Sequence, residues 1–202
     1  ISSGDNNFID LISLVASFNK HLIISSGLSK LEDLKKIYKL VKKIRGRNLK
    51  LSFLHCISSY PAPLEEINLL NIQLIKENFP DVEVGFSDHT IGTKVPLYAT
   101  LVGARIIEKH FTLDNKFSNF RDHALSLNPK NFKKMVEQIR EAEKILGNKL
   151  KIVFPSEKKN LISMRRSAYA SRSLKDGQIL RKKDIIYLRP GNDISYQETK
   201  KI

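Results

Sequence analysis

The sequence predicts an α/β fold in which parallel strands and helices alternate. Short apolar runs of strand length alternate with longer helical patterns from the N-terminus to about residue 147. These runs begin roughly 30 residues apart, which suits both half of a (β/α)8 barrel and an open doubly wound sheet. None of them is followed by Gly-x-Gly-x-x-Gly, which disfavours the dinucleotide-binding form of the open sheet.

The strands and helices of this first part follow from apolar periodicity and from residues that start or stop helices. Strands are predicted over 22–25, 51–56, 82–86 and 105–111. Helices are predicted over 8–17, 29–46, 64–78, 93–102 and 131–146. Ser29 with Glu32 is typical of a capping box, and Asn128 with Pro129 is typical of a helix start. Gly147 ends the last helix and predicts the end of a first domain, 1–147.

The alternating pattern of strands and helices ends at residue 147. Residues 148–164 are basic, are interrupted by Pro155 and show no helical period, so they are interpreted as a linker. Residues 165–202 contain strand-like runs at 167–173 and 185–188, with a turn at 175–177 between them. They are interpreted as the start of a small, mainly β domain that is cut off at residue 202.

The chain is strongly basic. Lys and Arg number 35 against 21 Asp and Glu, which gives a net charge of +14. Many lysines, at 35, 36, 39, 42 and 43, share one segment with regularly spaced apolar residues and so form the solvated face of an amphipathic helix. A solvated surface is therefore the favoured explanation, and binding of nucleic acid or of an anionic small molecule is the alternative.

Cysteine content and hydropathy predict a cytoplasmic protein. Cys56 is the single cysteine, which excludes an internal disulfide and a Cys-x-x-Cys metal site. No apolar run approaches the ~18 residues that cross a bilayer, and the N-terminus has no signal-peptide pattern. Both observations disfavour a membrane-spanning or secreted protein.

Polar residues at the ends of the predicted strands are the candidates for chemistry. His89 and His110 follow neighbouring strands and could share a Mn, Zn, Fe or Co ion, with a structural hydrogen-bonding role as the alternative for each. Glu108 shares the strand face of His110, whereas Lys109 points to the other face. Asp88 either orients its neighbour or caps the next helix.

Other strand-end residues have more than one interpretation. His55 is either a third ligand or a side chain packed below the rim, and His21 lies at the opposite end of the sheet with a structural role. The hydroxyl and amide groups of residues 25–27 could bind phosphate or carboxylate oxygens. Cys56 lies in an apolar run, which indicates a buried thiol rather than a nucleophile.

Several strings in the sequence resemble one enzyme family. In order along the chain they are SGD at 3–5, SSG at 25–27, LHC at 54–56, SSYPAP at 58–63, GFSDHT at 85–90, IEKHFT at 107–112, DHALSLNP at 122–129 and RPGN at 189–192. Together they resemble the sialic acid synthase family, which makes nine-carbon nonulosonic acids from phosphoenolpyruvate and a six-carbon amino sugar. The ordered set extends over nearly the whole chain and is therefore specific.

The resemblance implies both an architecture and a reaction. It implies that 1–147 is the second half of a (β/α)8 barrel, 148–164 a linker and 165–202 the start of an antifreeze-like (SAF) domain, in a domain-swapped homodimer. It also implies that the phosphoenolpyruvate methylene carbon attacks the sugar aldehyde, water adds to the cationic carbon and phosphate leaves by C–O cleavage. Such a reaction needs a Lewis acid and partners for the phosphate.

The resemblance also implies roles for individual residues. His89 and His110 would hold a divalent metal, manganese first and magnesium or cobalt as alternatives, with Asp5 close to the metal-bound water. The residues implied to bind phosphoenolpyruvate are Ser3, Ser25, Ser58 and Ser87. The residues implied to bind an N-acylated amino sugar of the N-acetylmannosamine type are Tyr60, Asp122 and, from the partner subunit, Arg189.

Departures from the family pattern bear on the substrate rather than on the reaction. Ser58 stands where several members have asparagine, Phe120-Arg121 replaces Gly-Pro, and Asp193 replaces a glycine. A legionaminic or pseudaminic acid synthase that uses a diacetylated sugar for surface polysaccharide is therefore an alternative. A noncatalytic carbohydrate-binding relative is another, and a basic nucleic-acid-binding protein is a third.

The resemblance finally implies that the family's first three strands and a phosphate-binding lysine would precede Ile1. We therefore expect the 202-residue chain alone to lack synthase activity and to fold poorly, because an unclosed barrel exposes a sheet edge and an apolar face.

Overall fold

The computed structural model describes residues 1–118, 121–191 and 194–201, and for Arg121 only the backbone. Two family departures noted above, Phe120 and Asp193, lie outside the described residues. The chain divides into two compact units, Ile1–Gly147 and Asn148–Ile202. In the described residues, no helix has the length and apolar character needed to cross a bilayer.

The first unit is a parallel sheet whose strands are joined by helices. Its strands are β1 (Leu22–Ser25), β2 (Leu51–Cys56), β3 (Glu83–Asp88) and β4 (Ile107–Lys109). Its helices are α1 (Ile9–Ser17), α2 (Leu31–Arg45), α3 (Asn71–Asn78), α4 (Lys94–Leu101), α5 (Arg121–Leu125) and α6 (Pro129–Leu146), with short 3-10 turns at Ser3–Asp5 and Leu64–Glu66. The strand order is β1-β2-β3-β4 and every pairing is parallel, which confirms the predicted α/β class.

A single hydrophobic core joins most of this sheet to its helices. All six residues of β2 are buried, as expected for a strand covered on both faces. On α2, the buried residues Leu34, Ile37 and Val41 recur at helical spacing, while the five lysines of this segment are exposed. This arrangement confirms the predicted amphipathic helix. A smaller core lies under α6, around Leu127 and Met135.

The first residue of the chain extends the hydrogen-bonding pattern of the sheet beyond β1. The Ile1 nitrogen donates to the Ile23 carbonyl at 2.8 Å, and the Ser25 amide donates to the Ile1 carbonyl at 3.0 Å. Ile1 thus bonds to the two residues on either side of Ile24, which is the hydrogen-bond pattern of parallel strands. Ser3 therefore follows a strand position, as Ser58 follows β2, and Ser25 is the last residue of β1.

Some predicted bounds are wrong for identifiable reasons. The helix predicted over 64–78 is a 3-10 turn followed by α3, because Asn68 adopts a positive φ of 44° that interrupts the helix. The capping box predicted from Ser29 and Glu32 does not form: Asp33 accepts the Lys30 amide, and the Ser29 hydroxyl donates to Asn6 instead. β4 is also shorter than the predicted 105–111, and α5 was not predicted.

The second unit contains α7 (Pro155–Met164) and an antiparallel pair, β5 (Ser167–Ala170) and β6 (Ile185–Leu188). The helix corrects the interpretation of 148–164 as an irregular linker. It begins with Pro155 in its first turn, and the Glu157 carboxylate accepts the Phe154 amide at 3.2 Å. These are ordinary start signals, but the helix buries no residue, so it lacks the apolar period on which the prediction relied.

Gly85 lets β3 approach its neighbours closely. A methyl group there would lie 2.5 Å from the Ile106 carbonyl oxygen and 2.5 Å from a Leu54 methyl carbon. We expect Gly85→Ala to lower the free energy of unfolding by about 1–3 kcal/mol. The measurement is the urea midpoint of the full-length protein, with Gly4→Ala as control because that methyl group would meet only Ser2, at 3.8 Å. Equal midpoints for both variants would contradict this expectation.

Candidate functional site

A cavity of about 640 Å³ opens at the carboxyl ends of the parallel strands. Parallel α/β folds place their reacting groups at this end of the sheet. The residues predicted from the sequence that line it are Ser3, Ser25, Ser58, Tyr60, Ser87, His89 and His110. Cys56 and Glu108 line it as well. The structure therefore brings most of the predicted site residues together.

The register between β3 and β4 aligns the two histidines. Ser87 pairs with Glu108, and Asp88 pairs with Lys109. Because successive side chains alternate between faces, the next residues, His89 and His110, return to the face of Ser87 and Glu108. The centroids of their imidazole rings lie 5.2 Å apart.

Tyr60 closes one side of this histidine pair. Its ring centroid lies 4.1 Å from that of His89 and 5.8 Å from that of His110. The tyrosine sits on the segment after β2, directly before Pro61. The cavity therefore has an aromatic wall beside two imidazoles, which is a surface suited to the apolar face of a sugar or of an acyl group.

The environment of His89 fixes the orientation of its ring. Its Nδ1 donates to the Ile57 carbonyl at 2.8 Å, and the Cys56 Sγ lies 3.8 Å from the same nitrogen. Burial disfavours protonation, but these two partners outweigh it and raise the pKa of His89 above its ordinary value. With Nδ1 committed to the backbone, a metal would bind through Nε2.

His110 is shifted in the opposite direction. Burial lowers its pKa, the neighbouring His89 lowers it further, and the carboxylate of Asp122 partly opposes both. His110 is therefore neutral near pH 7 and can offer a lone pair. Asp122, which is predicted to bind the sugar, does not line the cavity.

Hydroxyl groups occupy the part of the cavity next to β1 and β2. The Oγ atoms of Ser3 and Ser58 are buried and, within the described residues, make no hydrogen bond. A methyl group on Gly27 would come within 3.0 Å of both serine side chains, so glycine keeps this space open. Buried hydroxyls without partners are costly and indicate a site for a ligand with acceptor oxygens.

Asn6 holds the backbone around these hydroxyls. Its buried side chain donates to the Ser25 carbonyl at 3.0 Å and to the Gly27 carbonyl at 2.9 Å, and its Oδ1 accepts from the Ser29 hydroxyl. The prediction from sequence missed Asn6, although an asparagine between a Gly-Asp turn and a helix is a signal for side-chain to backbone bonding.

The roles of Asp5 and Arg189 stay predictions, and Asp5, like Asp122, does not line the cavity. The Asp5 side chain is exposed and accepts the Ser2 hydroxyl at 2.7 Å, so its proposed place near a bound water stays a prediction. Arg189 is an exposed residue of the second unit, and its action on a partner subunit also stays a prediction.

The remaining histidines and Cys56 are also placed by the structure. His55 donates to the Ile67 carbonyl at 2.6 Å and packs against Phe86, which favours the packed interpretation over that of a third ligand. His21 contacts Ser52 at the start of β2, at the opposite end of the sheet, as predicted. Cys56 is buried as predicted, yet it also forms part of the cavity wall beside His89.

The donor set of the cavity suits a metal that keeps open coordination positions. Within the described residues, no three or more His, Cys, Asp and Glu side chains converge on one metal position. His89 and His110 supply two imidazoles, and Glu108 is held by the Ser87 hydroxyl at 2.6 Å. Two imidazoles facing an open cavity fit a divalent transition metal whose other ligands are water and substrate oxygens.

Comparisons with known proteins are consistent with this geometry. Residues 1–151 match the model of the NeuB family. The chain is 36% identical to the N,N'-diacetyllegionaminic acid synthase of Campylobacter jejuni serotype O:2 over 96% of this chain and 58% of that protein. It is 39% identical to the pseudaminic acid synthase of C. jejuni serotype O:23/36 over 94% of this chain and 54% of that protein. The chain thus spans little more than half the length of these relatives.

A solved structure gives the same result for the fold. The N-acetylneuraminic acid synthetase of Leptospira borgpetersenii serovar Hardjo-bovis superposes with a TM-score of 0.73 at 32% sequence identity, covering 80% of this chain and 55% of that one. The four-stranded parallel sheet therefore resembles half of the barrel found in a sialic acid synthase structure.

Proposed function

Because the chain belongs to the NeuB family, we propose that the full-length protein condenses phosphoenolpyruvate with an N-acylated amino sugar. The products are a nonulosonic acid and inorganic phosphate. The observation that carries the proposal is the cavity at the strand ends, where two aligned imidazoles face buried serine hydroxyls that lack partners. One part of this cavity suits a metal and the other suits an anion.

The serine hydroxyls are proposed to bind phosphoenolpyruvate. Ser3 and Ser58 have free donor capacity in a buried place, and Ser25 and Ser87 line the same cavity. A phosphate or carboxylate supplies the acceptor oxygens that such hydroxyls lack, and hydrogen bonds to charged groups are stronger than neutral ones. The net charge of +14 favours the approach of this anion.

His89 and His110 are proposed to hold the divalent metal, with manganese preferred and magnesium or cobalt as alternatives. When bound, the metal would supply Lewis-acid polarisation of the sugar carbonyl. The chain's own part is to fix the imidazoles: the Ile57 carbonyl orients the His89 ring, and Tyr60 packs against it. Tyr60, which lines the cavity, and Asp122 are proposed to contact the sugar.

The relatives bear on which sugar is used. Two proteins with 36% and 39% identity are named for diacetyllegionaminic and pseudaminic acid synthesis. These names favour a diacetylated amino sugar as a second candidate beside an N-acetylmannosamine-type sugar. Phosphate release with each sugar separates the two, and sugar binding without release would identify a noncatalytic relative.

The histidine pair gives the first test of the proposal. We expect His89→Ala and His110→Ala in the full-length protein to abolish Mn²⁺ binding and to lower phosphate release by at least about 100-fold, because each removes one of two imidazole ligands. His21→Ala is the matched control, since His21 lies at the opposite end of the sheet. Electron paramagnetic resonance of free Mn²⁺ and a phosphate assay are the measurements. Unchanged Mn²⁺ binding in both variants would refute the metal site.

Substitution of Ser58 distinguishes an effect on phosphoenolpyruvate binding from an effect on stability. Because its buried hydroxyl makes no hydrogen bond, Ser58→Ala should leave the melting temperature unchanged or raise it, while the KM for phosphoenolpyruvate rises about 10-fold. The control is Ser59→Ala, which removes a hydroxyl that bonds to the Pro61 carbonyl and does not line the cavity. A fall in melting temperature with an unchanged KM would contradict the proposed anion site.

Arg189 tests the proposed homodimer. If each site joins the barrel of one subunit to the second unit of its partner, Arg189→Ala and His110→Ala should each be inactive alone. Mixed dimers should then regain activity, up to about a quarter of wild type, because half of the dimers would hold one intact site. The control is a mixture of His89→Ala with His110→Ala, which has no intact site. No recovery in the first mixture would place Arg189 outside the partner's site.

A further inference from the structure

A fully buried ion pair lies directly behind the histidine pair. The Lys109 Nζ is 2.7 Å from an Asp88 carboxylate oxygen, and neither side chain is exposed to solvent. Neither residue lines the cavity. These two charges therefore face the outer side of β3 and β4, away from the reacting groups, and the proposed chemistry gives them no role.

Two hydrogen bonds connect this pair to the backbone of Thr90, the residue directly after His89. The second oxygen of Asp88 accepts the Thr90 amide at 2.9 Å, and Lys109 donates to the Thr90 carbonyl as well as to Asp88. The residue before His89, the residue after it and the residue before His110 are thus joined in one network. The path of the chain through His89 is fixed relative to the strand that carries His110.

The pair also coincides with the register of the sheet. Asp88 and Lys109 are opposite each other in the parallel pairing, and this pairing is the last one before the two histidines. A slip of one residue would turn one histidine out of the cavity, because side chains alternate between the faces of a strand. An ion pair that bonds only in one register opposes such a slip.

Stability alone does not account for this pair. Taking two charges out of water is costly, and a well-packed apolar pair of similar size is commonly as stable. A buried ion pair can instead specify one alignment of the two strands, because the pair forms only in that register. Buried polar residues are best known for such a role in coiled coils, where they fix the register of the helices. The imidazole centroids of the two histidines that follow this pair are 5.2 Å apart.

We propose that Asp88 and Lys109 are positioning residues that set the spacing of His89 and His110 and thereby the affinity of the site for a divalent metal. The inference rests on the proposed function, because it takes these histidines as the metal ligands. It adds two charged residues that touch neither metal nor substrate and that act through the backbone of Thr90 and through the strand register.

The test compares Mn²⁺ binding with folding in the full-length protein. The variants are Asp88→Asn, Lys109→Met and the double variant, which leaves no unpaired buried charge. Each should bind Mn²⁺ about 10–100-fold more weakly than wild type, the usual cost of losing a residue that orients metal ligands. The double variant should keep a cooperative thermal transition, and the zero-field splitting of its bound Mn²⁺ should change.

The matched control is Lys42→Met, which removes an ion pair of similar length, 3.0 Å to Asp81, on the exposed side of α2. It should leave Mn²⁺ affinity unchanged. A folded double variant with wild-type Mn²⁺ affinity and an unchanged Mn²⁺ spectrum would overturn the positioning role. If His89→Ala binds Mn²⁺ as wild type does, the metal site itself fails and the inference fails with it, so the two failures are distinguishable.

Discussion

The parallel register between β3 and β4 is the constraint on which the site depends. It places Ser87, Glu108 and the two histidines on one face and sends Asp88 and Lys109 to the other. The face toward the cavity carries the groups proposed to bind ligands, and the opposite face carries the buried ion pair. The pairing of β3 with β4 thus places the cavity-lining groups and the ion pair on opposite faces of the sheet, because side chains alternate between the two faces along each strand.

The site also contains local features that reduce stability. Ser3 and Ser58 keep buried hydroxyls without partners, and Gly27 leaves space where a side chain would fill it. Such features run against the rules that stabilise a core and are expected where a ligand completes the hydrogen bonds. Asn6 compensates for part of this cost because it satisfies two backbone carbonyls beside the gap.

Local sequence patterns predicted the sheet better than the connections. β1 and β2 have the predicted bounds because each is a short apolar run with clear limits, and α2 follows from its apolar spacing. The break before α3 could not be predicted, since it depends on the positive φ of Asn68, a residue that periodicity does not distinguish. For α7 the start signals were present, but without a buried stripe they were outweighed by the basic composition.

The candidate site divides in the same way. His89 and His110 could be predicted because strand ends in a parallel sheet converge, and the cavity follows from that convergence. The structural role of Asn6 and the wall position of Cys56 depend on contacts between distant segments, such as the 3.8 Å approach of the thiol to His89. The spacing of residues in the sequence does not indicate such contacts, so the roles of Asn6 and Cys56 are evident only in the structure.

The division between strands and loops also bears on substrate choice. The groups proposed for the shared reaction, the two histidines and the serines, lie at strand ends, whereas Tyr60 and Asp122 lie on connecting segments. Loops on a fixed scaffold change more readily than strand ends. This fits relatives that share more than a third of their aligned residues with the chain and yet are named for different nonulosonic acids. Under the proposed function, the strand ends would determine the class of reaction, and the segments around them would determine the sugar.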